Sequence, residues 1–205
     1  MSRITGPRVR IMRALGVDLP GLSRKTIEDR PNPPGQHGGQ SSRKRRSDFG
    51  VKLQEKQKIR FNYGVSEKQM RRLIVDARKG KEPTGEMLLQ LLERRIDNVV
   101  FRAGFAPTGI AARQLVNHGH ILLNGKPVNI ASIRLKVGDE VTIKDKSKQI
   151  PMVVDSIKSP ALTRPEWLTW DEQQKVVKIA HLPAFEDVPF PVDVQQVVEY
   201  YANRV

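Results

Sequence analysis

The side chains of this protein that could do chemistry are mostly cations. Arg43-Lys44-Arg45-Arg46 stand in succession, and Lys52, Lys56, Lys58 and Arg60 follow shortly after. Guanidinium and ammonium groups at this density displace counterions from phosphates. The bland reading of a basic run is a solvated tail or an import signal; a second basic stretch beside the first favours phosphate contact. Metal chemistry is poorly supplied. A zinc site needs about four ligands, and the chain has no cysteine and four scattered histidines. His118 and His120 flank Gly119 without a third ligand, so they are assigned to RNA or solvent, and neither a metal nor a cofactor is expected. No paired carboxylates, nucleophile elbow or phosphate loop is present.

Charge and its distribution identify the partner class. Lys and Arg number 36 against 22 Asp and Glu, a net charge of +14, and the pI is about 10.3. Residues 1–60 hold 15 cations against 5 acids, residues 61–150 hold 16 against 9, and residues 151–205 hold 5 against 8. The polyanion-facing surface is thereby confined to the first three quarters of the chain, and the acidic end faces protein or solvent. No window approaches the roughly 20 apolar residues of a membrane span, and the start does not read as a signal peptide. A soluble, cytosolic protein is expected unless it is imported. The missing cysteines leave the redox compartment open. Hydrophobic residues make up 38%, a lean supply for a chain whose whole length packs on itself.

The elements that must position these cations follow from periodicity and caps. Pro7 to Leu15 reads as a short helix stopped by Gly16. Residues 31–47 are rich in Pro, Gly and Ser and end in the basic run, so they are expected to be disordered in isolation. Ser66 and Gln69 form a capping box before Met70, Leu73, Ile74 and Ala77 at helical spacing. Thr84 opens a helix with the stripe Met87, Leu88, Leu91 and Leu92, and Asp193 one with Val194, Val197, Val198 and Tyr201. These three stripes are expected to pack together, returning the C-terminal helix onto residues 66–92.

Ile96, Val99 and Val100 predict a short helix ended by Gly104, and Thr108 caps a second. That second helix has Ala111, Ala112, Leu115 and Val116 on one face and Arg113, Gln114 and Asn117 on the other. Asn124-Gly125 between Ile121-Leu122-Leu123 and Val128-Asn129-Ile130 is a strong hairpin signal. Ile133, Leu135 and Val137 alternate with Arg134 and Lys136 as in a strand, and Val141-Thr142-Ile143 makes another. Past residue 150, prolines at 151, 160, 165, 183, 189 and 191 interrupt every candidate element. The fold class expected is α+β and mostly helical. Residues 1–47 are a basic tail ordered on RNA, residues 48–92 with 150–205 a helical domain, and residues 93–149 an inserted helix–turn–helix plus β-hairpin RNA-binding module.

These motifs together resemble the small-subunit ribosomal protein S-four family along essentially the whole chain, in its bacterial or plastid, cysteine-free form. Gly35-Gln36-His37-Gly38 is similar to the family's N-terminal loop signature, and Phe49–Val65 to its basic helical segment. Thr84–Thr108 and Ala112–Ile130 resemble the approach to its RNA-binding module and the module's body. Pro165-Glu166-Trp167-Leu168 resembles its proline-tryptophan segment, and VVEYYANR its C-terminal helix. The resemblance implies a structural constituent of the small ribosomal subunit. Such a protein is a primary binder of 16S ribosomal RNA at a multi-helix junction of the 5′ domain, nucleates assembly of the subunit body and contributes to translational accuracy. It further implies contact with ribosomal protein S-five and other small-subunit proteins, a place near where messenger RNA enters, and residence in the cytoplasmic ribosome or in an organellar stroma or matrix. Two departures stand out: the zinc-holding cysteines of many members are missing, which removes the metal, and Gly109 stands where the second module helix often has Arg, which weakens one expected RNA contact.

Enzymatic rivals fail on spacing. His118-Gly119-His120 and Lys144-Asp145-Lys146-Ser147-Lys148 echo the two signatures of one aminoacyl-tRNA synthetase class. That first signature, however, separates its histidines by two residues at a helix start in a nucleotide-binding fold. A pseudouridine synthase with the same RNA module would need a large further domain. A stand-alone RNA-binding repressor shares every feature and stands as a second role.

The RNA-contact candidates in the tail and basic segment are Arg3, Arg8, Arg10, Lys25, Gln36, His37, Arg43, Lys44, Arg45, Arg46, Lys52, Lys56, Lys58 and Arg60. In the module they are Arg94, Arg95, Arg113, Gln114, Asn117, His118, His120, Asn124 and Lys126, with Asn124 equally explained by turn chemistry. Arg113→Glu is expected to weaken RNA binding and leave thermal stability nearly unchanged, and deletion of residues 1–47 to flatten the salt dependence. With about 6–10 phosphates neutralised, affinity for junction RNA should fall about 10³–10⁵-fold between 50 and 200 mM salt, a slope measurable by filter binding; a flat response would refute phosphate-dominated binding.

Overall fold

The computed structural model of the protein describes residues 4–38 and 47–202. It is an α+β protein with eight α-helices among the described residues and one five-stranded sheet. Two compact units divide the chain: residues up to 88 together with those from 190 onward, and residues 89–189.

The first unit is helical. α1 (Arg8–Leu15) follows Pro7 and is ended by Gly16, as the proline and glycine positions require. It buries Met12 and Leu15, and the chain beyond it buries Val17, Leu19 and Leu22. α2 (Asp48–Asn62) is capped by the Ser47 hydroxyl, which accepts from the Gly50 N–H. The loop after α1 is fastened to α2 at both ends: Gln54 Nε2 donates to the Leu15 carbonyl, and the Gly21 N–H donates to Asn62 Oδ1 at 2.9 Å. Much of the segment expected to be an RNA-ordered tail is therefore part of a protein core, because five apolar residues between 12 and 22 find burial beside α2. Removing residues 1–47 would remove that core along with any phosphate contacts. Arg43–Arg46 and Arg3 lie outside the described residues, as do residues 39–42 of the segment for which disorder was expected.

α3 (Glu67–Ala77) has the expected capping box, with Ser66 and Gln69 exchanging hydrogen bonds of 2.9 and 3.3 Å. Met70, Leu73, Ile74 and Ala77 are buried. The division between the units falls within α4 (Thr84–Glu93). α8 (Val194–Tyr201) starts at the Asp193 cap and buries Val197 and Tyr201. Its chief partner is α2 rather than the expected segment 66–92. The Asp193 N–H donates to Glu55 Oε2 at 3.0 Å, Lys52 pairs with Glu199 at 2.9 Å, and the Phe49 and Tyr200 rings lie 5.9 Å apart. Contact with α3 is made at its two ends. The Tyr201 hydroxyl donates to Glu67 Oε1 at 2.7 Å, and Arg78 Nη2 donates to the Tyr201 carbonyl at 3.1 Å.

The second unit begins with α5 (Ile96–Arg102) and α6 (Gly109–Asn117), the latter capped by Thr108 as expected. β1 (Ile121–Leu123) and β2 (Lys126–Val128) form the hairpin, with Leu123 opposite Lys126 and a turn in which Asn124 and Gly125 both have positive φ, the geometry of a two-residue type I′ turn. Residues 133–137 do not form the expected strand. They lie along the start of α5, with the Leu135 N–H donating to the Arg94 carbonyl and the Ile96 N–H to the Ile133 carbonyl, both at 2.9 Å.

β3 (Glu140–Ile143) pairs with β1 on one side and β5 (Val176–Ile179) on the other, and β4 (Leu168–Asp171) closes the antiparallel order β2-β1-β3-β5-β4. α7 (Pro151–Lys158) opens with Pro151 at its first turn, where a missing N–H is harmless, so that proline starts an element rather than breaking one. Residues 150–189 accordingly belong with the module's sheet and not with residues 48–92: Trp167, Leu168, Val177 and Ile179 share one core with Phe105, Val116, Ile121 and Val141. Only the stretch from Phe190 on returns to the first unit.

Glu67 also accepts from Lys56 Nζ at 2.8 Å. Burial pushes its pKa up, but the Lys56 and Tyr201 hydrogen bonds and the Lys56 charge outweigh it, leaving the carboxyl below its ordinary value. A lowered folded pKa gives stability that is present above the unfolded value, about 4.3 for Glu, and is lost as pH falls through the folded one. Glu67→Gln should therefore flatten the acid limb of a stability-versus-pH series below about pH 4.3; identical limbs in the two proteins would contradict the coupling.

Candidate nucleic-acid interface

In the first unit, the described candidates separate into exposed and engaged groups. Arg8 and Arg10 project from α1 into solvent, and Lys25 is exposed in the loop that follows. Lys25, Arg24 and Arg30 border a cleft of about 530 Å³ with Val9, Thr26 and Asp29. Gln36 and His37 stand exposed at the tip of a tight turn closed by the Gly38 N–H on the Gly35 carbonyl at 3.2 Å. A side chain at Gly38 would place its Cβ 1.9 Å from the Pro33 carbonyl oxygen, so the turn that presents these two residues can form only with glycine there.

The lysines of α2 are different. Lys56 is 5% exposed and held by Glu67; Lys58 pairs with Glu55 at 2.6 Å; Lys52 pairs with Glu199. Expected as RNA contacts, Lys56 and Lys52 bridge α2 to α3 and α8, and Lys58 pairs within α2. Arg60, in the last turn of α2, has its guanidinium over the Phe61 ring at 5.6 Å. The sequence reading passed over the outer face of α3, where Lys68, Arg71 and Arg72 are exposed with Arg78 and Lys79 just beyond. The signal was present as the complement of the apolar stripe on an amphipathic helix.

In the second unit, a buried carboxylate organises the site. Asp97, 3% exposed, accepts from Arg95 Nε and Nη2 at 3.1 and 2.9 Å, and from Arg113 Nε and Nη2 at 2.8 and 2.5 Å. Arg95 is itself 4% exposed. The expectation that Arg95 and Arg113 are surface contacts is thus corrected for Arg95, which is buried. Arg113 is modified rather than displaced: its side chain is 15% exposed and clamps α6 to α5. Sequence periodicity placed Arg113 off the apolar stripe correctly but could not show an acid waiting 16 residues earlier.

Arg94 is half-buried, with Nε donating to the Leu135 carbonyl at 2.8 Å. Burial, and after it the charge of Arg134, hold this guanidinium below its ordinary pKa, with Asp139 acting in the opposite sense. Arg134 and Lys136, both exposed, were missed because a strand was expected there. Gln114 and His118 are exposed at the end of α6 and Asn117 is half-buried. His120 Nδ1 lies 2.9 Å from the Ser147 hydroxyl, and the two imidazoles sit 6.1 Å apart. Among the described residues, no group of three or more His, Cys, Asp or Glu could hold a metal ion.

Asn124 is turn chemistry: its amide donates to Asp139 Oδ1 at 2.9 Å and its Oδ1 accepts from the Glu140 N–H at 2.8 Å. Lys126 is exposed on the edge strand β2. The second unit thus presents Arg94, Gln114, His118, Lys126, Arg134 and Lys136 as donors.

This fold and this surface define a basic binding protein built from a helical unit and a helix–turn–helix unit with an antiparallel sheet. Comparison with known proteins makes the assignment specific. The family model described as ribosomal protein S4/S9 N-terminal domain matches residues 3–93, and the S4 domain model matches residues 94–141. The chain is 73% identical over 205 residues to small ribosomal subunit protein uS4 of Methylobacillus flagellatus and 72% identical to uS4B of Nitrosomonas europaea, covering 100% of each. It is 48% identical over 205 residues to uS4 of Nostoc punctiforme, again over 100% of both chains. The chain belongs to the uS4 family of small ribosomal subunit proteins. No helix among its described residues is long and apolar enough to cross a membrane.

Reversing Arg113 to Glu would set two carboxylates together where a guanidinium now bridges helices. We expect Arg113→Glu to lower folding stability by about 1–3 kcal/mol, the worth of a charge-assisted hydrogen bond in a largely buried place. Lys126→Glu should stay within about 0.5 kcal/mol, as exposed substitutions do. Parallel denaturant titrations decide it: equal midpoints would show that the Asp97 clamp does not support the fold.

Proposed function

We propose that the chain is a structural, non-catalytic constituent of the small ribosomal subunit that binds its 16S ribosomal RNA. The observation that carries this is full-length identity of 73% to a uS4 protein, joined to a described surface on which, up to residue 150, exposed cations outnumber exposed acids. A-form RNA hides its base edges in a narrow major groove, so recognition here rests on phosphate position and on unpaired bases. The second unit supplies phosphate ligands on one short hairpin and the segment that follows it: Lys126, Arg134 and Lys136. Arg94 sits near Arg134, and an approaching phosphate offsets the repulsion between the two guanidinium groups. The first unit adds Arg8, Arg10, Lys25, Gln36, His37 and the α3 cations.

The likeness to the S-four family supports the finer reading. The RNA is a multi-helix junction of the 5′ domain, residues 94–141 with their flanking helices act as its binding module, and binding nucleates the subunit body and bears on translational accuracy. Ribosomal protein S-five and messenger RNA near its point of arrival are the further partners on this reading, and bacterial relatives favour a cytoplasmic ribosome. Sucrose-gradient sedimentation tests the core of it. The tagged protein should co-sediment with the small subunit and survive a high-salt wash; recovery only in the soluble top fractions would refute the proposal.

A further inference from the structure

We propose that the cleft at the end of α2 is a pocket for one unpaired RNA base, an inference that rests on the RNA-binding reading above. The cleft lies wholly within the first unit, has a volume of about 230 Å³, and is lined by Ile4, Gly6, Ile11, Arg60, Phe61 and Val65 among others. That is several times the about 30 Å³ share of one water yet below the about 300–1,000 Å³ of pockets that enclose a drug-sized ligand. The space suits a single planar ring system.

Its chemistry is that of base recognition. Phe61 offers a half-buried aromatic face, and the Arg60 guanidinium stands over that ring at 5.6 Å. An aromatic or guanidinium plane is what an unstacked base uses in place of its lost neighbour, and the arginine can in addition meet the phosphate of the same nucleotide. Ile4, Ile11 and Val65 supply apolar walls. The position is fixed by the backbone: Gly64 adopts positive φ at 58° and the Val65 N–H returns to the Arg60 carbonyl at 3.1 Å, so Arg60 and Phe61 are carried by a closed helix end rather than by a loose loop. Among the described lining residues the charged side chain is Arg60, which favours an anionic ligand over a basic one, and the RNA-binding reading makes that ligand RNA.

Three full-length variants test this against in vitro transcribed small-subunit 5′-domain RNA. Phe61→Leu keeps an apolar side chain and loses the stacking face. Gly6→Leu fills the mouth, where a Cβ would meet nothing within 4 Å and φ is not positive. Phe61→Trp keeps the face. The first two should weaken binding about 5- to 100-fold, the equivalent of about 1–3 kcal/mol for one stacked base, and Phe61→Trp should bind as the wild type does. Chemical probing should show one unpaired nucleotide protected by the wild type and exposed with Phe61→Leu and Gly6→Leu, at unchanged protein melting temperature. Wild-type affinity in both of those variants, or weakened affinity with no nucleotide changing its reactivity, would overturn the pocket. Failure of the wild type itself to bind this RNA would instead overturn the functional reading on which the pocket rests.

Discussion

A chain carrying a net charge of +14 must fold against its own repulsion, and it does so by spending buried or half-buried carboxylates as internal counter-charges. Asp97 holds two arginines, Glu67 holds a lysine and a tyrosine hydroxyl, and Glu55 takes both Lys58 and the backbone N–H that starts α8. Removing a buried acid from such a cluster strands the cations around it, which is more damaging than the absence of the whole cluster would be. The acids also sort the cations. Lys56, Arg95 and Arg113, each paired with a buried or half-buried carboxylate, become structural.

This sorting explains what could be read from the sequence and what could not. Helix identity was legible, because caps and apolar spacing are local: Ser66, Thr108 and Asp193 each cap where expected. The Asn124-Gly125 hairpin was legible for the same reason. The fate of an individual cation was not, since it depends on an acid distant in sequence, as with Lys56 and Glu67 or Arg113 and Asp97. Non-local sheet pairing was equally hidden. Nothing in Val176–Ile179 announces that Glu140–Ile143 is its neighbour, and alternation at Ile133, Leu135 and Val137 looked like a strand although only Leu135 is buried. Apolar residues 12–22 were overlooked because the surrounding arginines, prolines and glycines dominate the composition.

The two units reach the same end by different means. In the helical unit, the cations offered outward sit on the backs of amphipathic helices, so their spacing is set by the helical repeat. In the sheet-bearing unit they sit on a hairpin and on the segment lying along α5, where the backbone is held by neighbouring strands and by the Asp97 cluster.

The seating of α8 on α2 also sets an order of events during synthesis. The Asp193 N–H meets a carboxylate 138 residues earlier in the chain, whereas the second unit closes on itself between residues 89 and 189. Chains emerge from N- to C-terminus at about 5–20 residues per second and fold by domains as they do so. The later-encoded unit is therefore complete while the earlier one still lacks a helix, and Tyr63 awaits Phe190, and Glu67 the Tyr201 hydroxyl, until the chain beyond residue 190 has cleared the exit tunnel. A nascent molecule of this protein is a finished sheet-bearing unit attached to a helical one that stays unfinished until α8 has been made.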